Sequence, residues 1–71
     1  MEEIKVHGDY ITLGQFLKVV SVVDSGSTAK LVIAEGLVKV NNEVEVRRGK
    51  KLRNGDTVSF DGNDFIVKNE D

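Results

Sequence analysis

Ser25-Gly26-Ser27-Thr28-Ala29-Lys30 and Gly36-Leu37-Val38-Lys39-Val40-Asn41 enclose the point at which the spacing of apolar residues changes. Between residues 29 and 36, small and apolar side chains recur at intervals of three and four, which is the pattern of one helix face. From residue 37 the interval becomes two, which is the pattern of a strand. Gly36 lies at the junction, where helices commonly end on a residue with positive φ. The segment therefore predicts a helix of about ten residues that leads directly into a strand.

A second helix is predicted just before this segment. Thr12-Leu13-Gly14-Gln15 has the form of a capping box, in which the Thr12 and Gln15 side chains each satisfy a free backbone N–H. The residues that follow form one apolar helix face: Leu13, Phe16, Leu17 and Val20. Residues 19–23 contain four valines, whose branched side chains weaken the helix prediction towards its end. The serines and the glycine of residues 25–27 separate this helix from the next.

Strands are predicted on both sides of the helices. Residues 3–7 alternate apolar and polar side chains before the first helix, and residues 38–46, 57–60 and 64–68 do so after the second. Asn41-Asn42 and two glycine-containing turns separate the later strands. The predicted order is β-α-α-β-β-β-β, which is typical of an α+β domain with a small antiparallel sheet. The first strand should pair with the last.

The predicted core joins the two helices to the first strand after them. Its members share one apolar face of each element: Leu13, Phe16, Leu17, Ala29, Val32, Ile33, Val38 and Val40. A chain of 71 residues predicts one domain, spanning residues 1–71.

Composition excludes several classes of protein. The chain has no cysteine, so disulfides and thiolate metal sites are excluded, and its one histidine leaves few candidates for a nucleophile or base. No His, Asp and Glu pattern indicates a metal site or a general-acid pair. No apolar run approaches the roughly 20 residues of a membrane span, and the acidic N-terminus does not resemble a secretory signal. We therefore expect a cytoplasmic protein that is not an enzyme and has no catalytic residues, metal or cofactor.

The formal net charge of −2 conceals a segregation of charge along the chain. Residues 18–53 carry eight Lys and Arg against four acids, and the flanks carry two Lys against eight acids. Five cations and no acid fall within Arg47-Arg48-Gly49-Lys50-Lys51-Leu52-Arg53, hereafter the basic loop. Such a cluster suits a phosphate backbone, because each cation can neutralise one phosphate. The alternative is a solvated loop whose charges only aid solubility.

The start of the second helix is another candidate anion site. Ser25, Ser27 and Thr28 place hydroxyls beside free backbone N–H groups, and Lys30 follows within one turn. The alternative is ordinary capping of the helix by Ser25 or Ser27. These residues alone favour the capping interpretation.

The same residues carry a resemblance to a known family. Ser25-x-x-x-Ala29-x-x-Val32-Ile33-x-x-Gly36-x-Val38-x-Val40-Asn41 resembles the S4 RNA-binding domain, as do Leu13-x-x-x-Leu17 before it and Gly55-Asp56-x-Val58 after it. The resemblance implies an S4-like (αL) two-helix motif packed on a small antiparallel sheet. It covers residues 11–60, to which strands 3–7 and 64–68 would be added. The chain departs from the family pattern at Thr12, Gly14, Gly26 and Asn42, the first and third of which replace arginines.

The function that the resemblance implies is binding of structured RNA, often ribosomal, by a small bacterial protein. Phosphate and shape contacts should dominate, because Phe16, Phe60 and Phe65 are assigned to the core and only Tyr10 is undecided. The basic patterns and the resemblance together nominate these residues for RNA contact: Ser25, Ser27, Thr28, Lys30, Lys39, Arg47, Arg48, Lys50, Lys51 and Arg53. The seven cations among them should converge on one face of a monomer.

The alternative function is a protein–protein interaction module in a ribosome-associated or a replication or repair assembly. The acidic flanks would then contact the basic surface of a partner protein. Ribosome-associated proteins also remain possible partners alongside RNA.

Overall fold

The structure is a computed structural model, and it describes residues 1–70. Two helices and seven strands follow one another along this part of the chain: β1 (Glu2–Val6), β2 (Ile11–Thr12), α1 (Leu13–Val19), α2 (Gly26–Ala34), β3 (Val38–Val40), β4 (Glu43–Val44), β5 (Lys51–Leu52), β6 (Thr57–Phe60) and β7 (Asn63–Asn69). The two predicted helices and all five predicted strands are therefore present, and β2 and β5 are additions.

Both helices begin at the predicted caps. Thr12 accepts a hydrogen bond from the Gln15 backbone N–H, and the Gln15 side chain accepts one from the Thr12 backbone N–H, which completes the predicted capping box. Ser25 caps α2 by accepting from the Thr28 N–H at 3.3 Å. The predicted Gly36 terminus is also confirmed, since its φ is +76°.

Helix α1 is shorter than its apolar pattern suggests. It ends at Val19, and Ser21 has a positive φ of 61°. Val22 and Val23 still pack into or against the core, but from the non-helical connection that leads to α2. Their branched side chains make a helical path costly, and the apolar contacts are retained without it.

The main sheet has five strands in the order β1-β7-β6-β3-β4. The β3–β4, β3–β6 and β6–β7 pairs are antiparallel, whereas β1 runs parallel to β7. Ile4 lies opposite Val67 in this parallel pair, so the expected pairing of the first and last strands is confirmed. Outside this sheet, β2 and β5 form a short antiparallel ribbon with Ile11 opposite Leu52 and Thr12 opposite Lys51.

The core lies between the two helices and one face of the main sheet. Of the eight predicted core residues, seven are buried and Val32 is half-buried against the rest. Leu52, Val58, Phe65 and Val67 complete the core from the later strands. Phe16 and Phe65 meet edge to face, with ring centroids 5.9 Å apart and an angle of 77° between the planes.

Among residues 1–70, no helix has the length and apolar character that crossing a bilayer requires.

Candidate nucleic-acid interface

The basic loop folds back onto the first turn of α1. The Leu13 N–H donates to the Lys50 carbonyl at 2.8 Å, and the Gly14 N–H donates to the Arg48 carbonyl at 3.0 Å. The first N–H groups of a helix have no partner within the helix, so these loop carbonyls satisfy two of them. The loop backbone is therefore fixed to the helix, and its side chains extend from a defined position.

Gly14 makes this close approach possible. A Cβ atom at this position would lie 2.6 Å from Cγ of Arg48, which is closer than nonbonded carbon atoms approach. The departure from the family pattern at Gly14 therefore has a structural reason, because any larger residue would displace the Arg48 side chain.

The start of α2 and the basic loop share a groove. This groove has a volume of about 330 Å³ and is lined by Thr12, Gly14, Gln15, Lys18, Gly26, Arg48 and Gly49. We call it the helix groove. Its walls carry the cationic side chains of Lys18 from α1 and Arg48 from the loop, and α2 contributes Gly26.

A second, shallower cavity of about 560 Å³ lies along the basic loop itself. Its lining consists of cationic residues and one glycine: Arg47, Gly49, Lys50, Lys51 and Arg53. Four of the five loop cations therefore border this open cavity, and Arg48 borders the helix groove. A phosphate backbone could contact both regions at once, because Gly49 lines each of them.

Arg47 is held by an acid of the same chain. Its Nε donates to Oε2 of Glu45 at 2.9 Å and its Nη2 to Oε1 at 3.2 Å, while its backbone N–H donates to Oε2 at 3.0 Å. The hydrogen bonds from Arg47 lower the pKa of the Glu45 carboxyl to about 2, and the same pair raises the pKa of Arg47. The Arg47 charge is thus partly neutralised within the protein, which a count of charges along the chain does not reveal.

One of the hydroxyls at the start of α2 acts in capping. The Ser25 hydroxyl caps the helix and lies 3.4 Å from the Thr28 hydroxyl, so the capping interpretation is correct for Ser25. Ser27 and Thr28 are exposed, as is Lys30 one turn into the helix. None of these three residues lines the helix groove.

Lys39 lies elsewhere. Val38 and Val40 are buried, so the alternation of β3 turns Lys39 to the outer face of the sheet, away from the helices. There it lies opposite Ser59 and borders a groove that also contains Asp61 and Asp64. The convergence expected of all seven cations therefore does not extend to Lys39, because strand geometry places it beside acids.

Sequence reasoning did not select Lys18 or Tyr10. Lys18 follows Gln15 by three residues on the exposed side of α1, so helical periodicity could have placed it beside the capping residues. Tyr10 has Lys51 Nζ 4.9 Å and Arg53 Cζ 5.7 Å from its ring centroid. No local pattern could have brought these residues together, since about forty positions separate them along the chain.

A short helix pair on an antiparallel-rich sheet, with a cationic loop fixed at the start of one helix, defines an α+β protein built on the αL motif. The chain belongs to the S4 domain family, whose sequence model matches residues 4–68.

Relatives support this assignment. The chain is 48% identical over 59 residues to the "Probable ribosome maturation protein RlbA" of Bacillus subtilis, with 83% of each protein covered. It is 44% identical over 58 residues to the "Putative RNA-binding protein YbcJ" of Escherichia coli, with 82% of this chain and 83% of YbcJ covered.

A solved structure agrees with the fold. The solution structure of E. coli YbcJ, described as revealing an αL motif involved in RNA binding, matches with a TM-score of 0.72 and 38% identity. The match covers 96% of this chain and 87% of the YbcJ chain.

Proposed function

We propose that this protein binds structured RNA, with ribosomal RNA as its target, through phosphate and shape contacts on the basic loop and the start of α2. The observation that carries the proposal is the helix groove, because one concave surface joins Gly26 of α2 to Lys18 and Arg48. The names of the two relatives, one an RNA-binding protein and one a ribosome maturation protein, support the same conclusion. The protein would act in the cytoplasm as a monomeric binding protein rather than as an enzyme.

The chemistry of the site favours contacts to the backbone of the RNA. Cations on a fixed loop can match the spacing of phosphates, and each neutralised phosphate releases counterions. The major groove of an A-form helix is too deep and narrow for side chains to read, so duplex RNA is recognised largely by shape. Of the predicted RNA contacts, the loop cations, Ser27, Thr28 and Lys30 remain compatible with this surface, and Lys39 would need a second contact on the outer face.

The first experiment measures binding to a ribosomal RNA stem-loop by fluorescence anisotropy over a series of salt concentrations. If about four or five phosphates are neutralised, the logarithm of the binding constant should fall against the logarithm of salt concentration with a slope near −4. The double variant Arg48→Gln/Lys50→Gln should reduce the magnitude of this slope by about one to two units and weaken binding to all stem-loops alike.

Lys68→Gln is the matched control, because it removes one positive charge from β7, outside the basic loop and the helix groove. It should leave the slope nearly unchanged. Wild-type binding by the double variant throughout the salt series would contradict the proposed surface. Circular dichroism of each variant separates loss of binding from loss of fold.

A substitution that strengthens binding provides a test of opposite sign. Glu45→Gln removes the carboxylate that holds Arg47, so the Arg47 side chain becomes free to contact a phosphate. We expect tighter RNA binding and a slope steeper by about 0.9, the value for one further phosphate. Glu43→Gln, which removes a neighbouring exposed acid, should change the slope less. An equal effect of the two variants would indicate a general charge effect instead.

The ribosomal target is tested in cells. Crosslinking followed by sequencing of the attached RNA should recover ribosomal RNA above its abundance in the input. Enrichment of other structured RNAs instead would contradict the ribosomal target. It would not contradict the proposed binding surface.

A second candidate function is a protein-interaction module in a ribosome-associated or a replication or repair assembly. The observation that favours it is a group of large apolar side chains that are each more than half exposed: Leu31, Leu37, Val44 and Val46. Salt separates the two functions, since binding through apolar side chains should change little across a salt series in which RNA binding falls steeply.

A further inference from the structure

Tyr10 lies next to the basic loop on the outer side of the β2–β5 ribbon. Ile11 and Leu52 face the core, so alternation turns Tyr10, Lys51 and Arg53 to the opposite side. Continued by one step, the antiparallel register sets Tyr10 opposite Arg53. The two cations lie within the distance, about 6 Å, at which an aromatic ring attracts them. The ring is therefore fixed beside two of the proposed phosphate contacts.

Tyr10 also borders a pocket on the side of β1 and α1. The pocket has a volume of about 350 Å³ and is lined by Lys5, Val6, His7, Tyr10, Ile11, Gln15 and Val19. This volume falls at the lower end of the range of about 300–1,000 Å³ that holds small ligands. Apolar side chains form much of its wall, while His7 and Gln15 add groups that can form hydrogen bonds.

The wall of this pocket is open to solvent. Tyr10 is 43% exposed and Val19 is 58% exposed. These features match the two parts of a nucleotide. The aromatic ring and the aliphatic wall suit a flat base, and the adjacent cations suit a charged phosphate. A duplex alone would not use the pocket, since its bases are stacked and paired.

We propose that the Tyr10 pocket receives one unpaired base of the bound RNA, stacked on the Tyr10 ring, while the adjoining phosphate contacts Lys51 or Arg53. This inference rests on the proposed function, because the basic loop must first hold a structured RNA. It adds a preference for stems that carry a bulge or a single-stranded extension. Unpaired bases are the part of RNA that aromatic side chains and polar groups can read.

The test compares two RNA probes. One is a blunt hairpin with a stem of about 16 base pairs, the span that duplex-binding domains contact. The other is the same hairpin with four unpaired adenosines at its 3′ end. Wild-type protein should bind the extended hairpin about tenfold more tightly, which is within the range for stacking of one base on an aromatic residue.

The chain's single tyrosine and lack of tryptophan allow a direct readout. Intrinsic fluorescence comes from Tyr10 alone, so the extended hairpin should quench it more strongly than the blunt one after correction for RNA absorption. Tyr10→Leu keeps the apolar volume without the ring and should lose the tenfold gain while binding the blunt hairpin normally. Tyr10→Phe keeps the ring and should retain most of the gain, and normal binding of the blunt hairpin by both variants shows that they fold.

The outcomes separate the inference from the function beneath it. If the blunt hairpin binds with a steep salt slope and the extension adds neither affinity nor quenching, the pocket does not take a base and the proposed function stands. A gain that survives in Tyr10→Leu also overturns the inference, because the ring is then unnecessary. If neither hairpin nor any ribosomal stem-loop binds, the proposed function fails and the inference fails with it.

Discussion

At the scale of single residues, the Glu45–Arg47 pair shows how a charge in the basic loop is adjusted. Two side-chain hydrogen bonds and one backbone hydrogen bond join the residues, in a bidentate fork that charged groups form strongly. Arg47 remains largely exposed, so the pair is screened by salt and available for exchange. A phosphate that approaches Arg47 must compete with a carboxylate that already occupies it.

The pair predicts a pH dependence of stability. The carboxyl pKa of Glu45 is lowered in the folded protein from 4.5 to about 2, so folding favours its charged form. Its contribution is complete above pH 4.5 and is lost as the pH falls from 4.5 towards 2. At neutral pH, wild type should therefore have a slightly higher melting temperature than Glu45→Gln. The difference in melting temperature should vanish near pH 2. Thermal melting in low salt over a pH series measures it.

Glu43→Gln serves as the control for this prediction, since Glu43 is an exposed acid of β4, two residues before Glu45. At neutral pH, Glu43→Gln should change the melting temperature less than Glu45→Gln, because the carboxylate that pairs with Arg47 is retained. A Glu45→Gln difference that stays constant between pH 5 and pH 2 would show that the carboxylate charge does not stabilise the fold.

A substitution at Gly14 should change RNA binding more than it changes the stability of the fold. Gly14→Ala would force Arg48 away, since the added Cβ lies 2.6 Å from its Cγ. Alanine also favours the helix by up to about 1 kcal/mol over glycine, which offsets the cost of the displacement. We expect weaker RNA binding with little change in the free energy of unfolding, measured by anisotropy and by urea titration.

Gly26→Ala is the matched glycine substitution, because no atom lies within 4 Å of the added Cβ there. This substitution should stabilise α2. It should not weaken RNA binding, because it displaces no arginine. Equal binding by wild type and Gly14→Ala would show that the position of Arg48 does not matter for the complex.

At the scale of elements, the helices depend on a few fully buried contacts. Leu17 of α1 and Ile33 of α2 have no solvent exposure. Replacing either by alanine should lower the free energy of unfolding by about 2–5 kcal/mol, from lost burial and the cavity left behind. Val32→Ala should cost less, because Val32 is only half-buried. Urea titration gives each value, and a Leu17→Ala midpoint close to that of wild type would remove this residue from the core.

The elements also show which features can be predicted from sequence. Helix α2, its Ser25 cap and its Gly36 terminus follow from local periodicity and turn chemistry, so they were predicted correctly. The β2–β5 ribbon was missed, because a strand of two residues shows no alternation. The fixed position of the basic loop was missed for a similar reason. It depends on backbone hydrogen bonds to α1, and these leave no pattern of side chains.

At the scale of the whole molecule, the terminal strands enlarge the sheet beyond the helix pair. Strand β1 lies at the sheet edge, parallel to β7. Its last residue, Val6, is buried, and the Val6 carbonyl accepts a hydrogen bond from the Glu70 N–H at 2.8 Å. We expect slow amide exchange for those β1 amides that face β7, and fast exchange for the alternate ones. Uniformly fast exchange along residues 2–6 would mean that β1 is not paired and that its acids are free to approach the basic loop.

The candidate site was only partly predictable at this scale. The basic loop and the α2 start were identified as separate charged or polar segments, and the helix groove joins Arg48 and Gly49 of the loop to Gly26 of α2. Lys39 was misplaced in the expected cluster, because position along the chain does not reveal which face of a sheet a residue occupies. Tyr10 remained undecided because Lys51 and Arg53, the cations near its ring, are distant from it along the chain.

The docking of the basic loop on α1 has an entropic consequence. Fixing one residue of a flexible chain costs about 1–2 kcal/mol, and a loop that orders only in the complex must supply this at the moment of association. Here the backbone at Arg48 and Lys50 is already ordered by folding, through its two hydrogen bonds to α1. Under the proposed function, less backbone freedom would then be lost on binding, so the surface is preorganised at these two positions and fewer cations would suffice to hold an RNA.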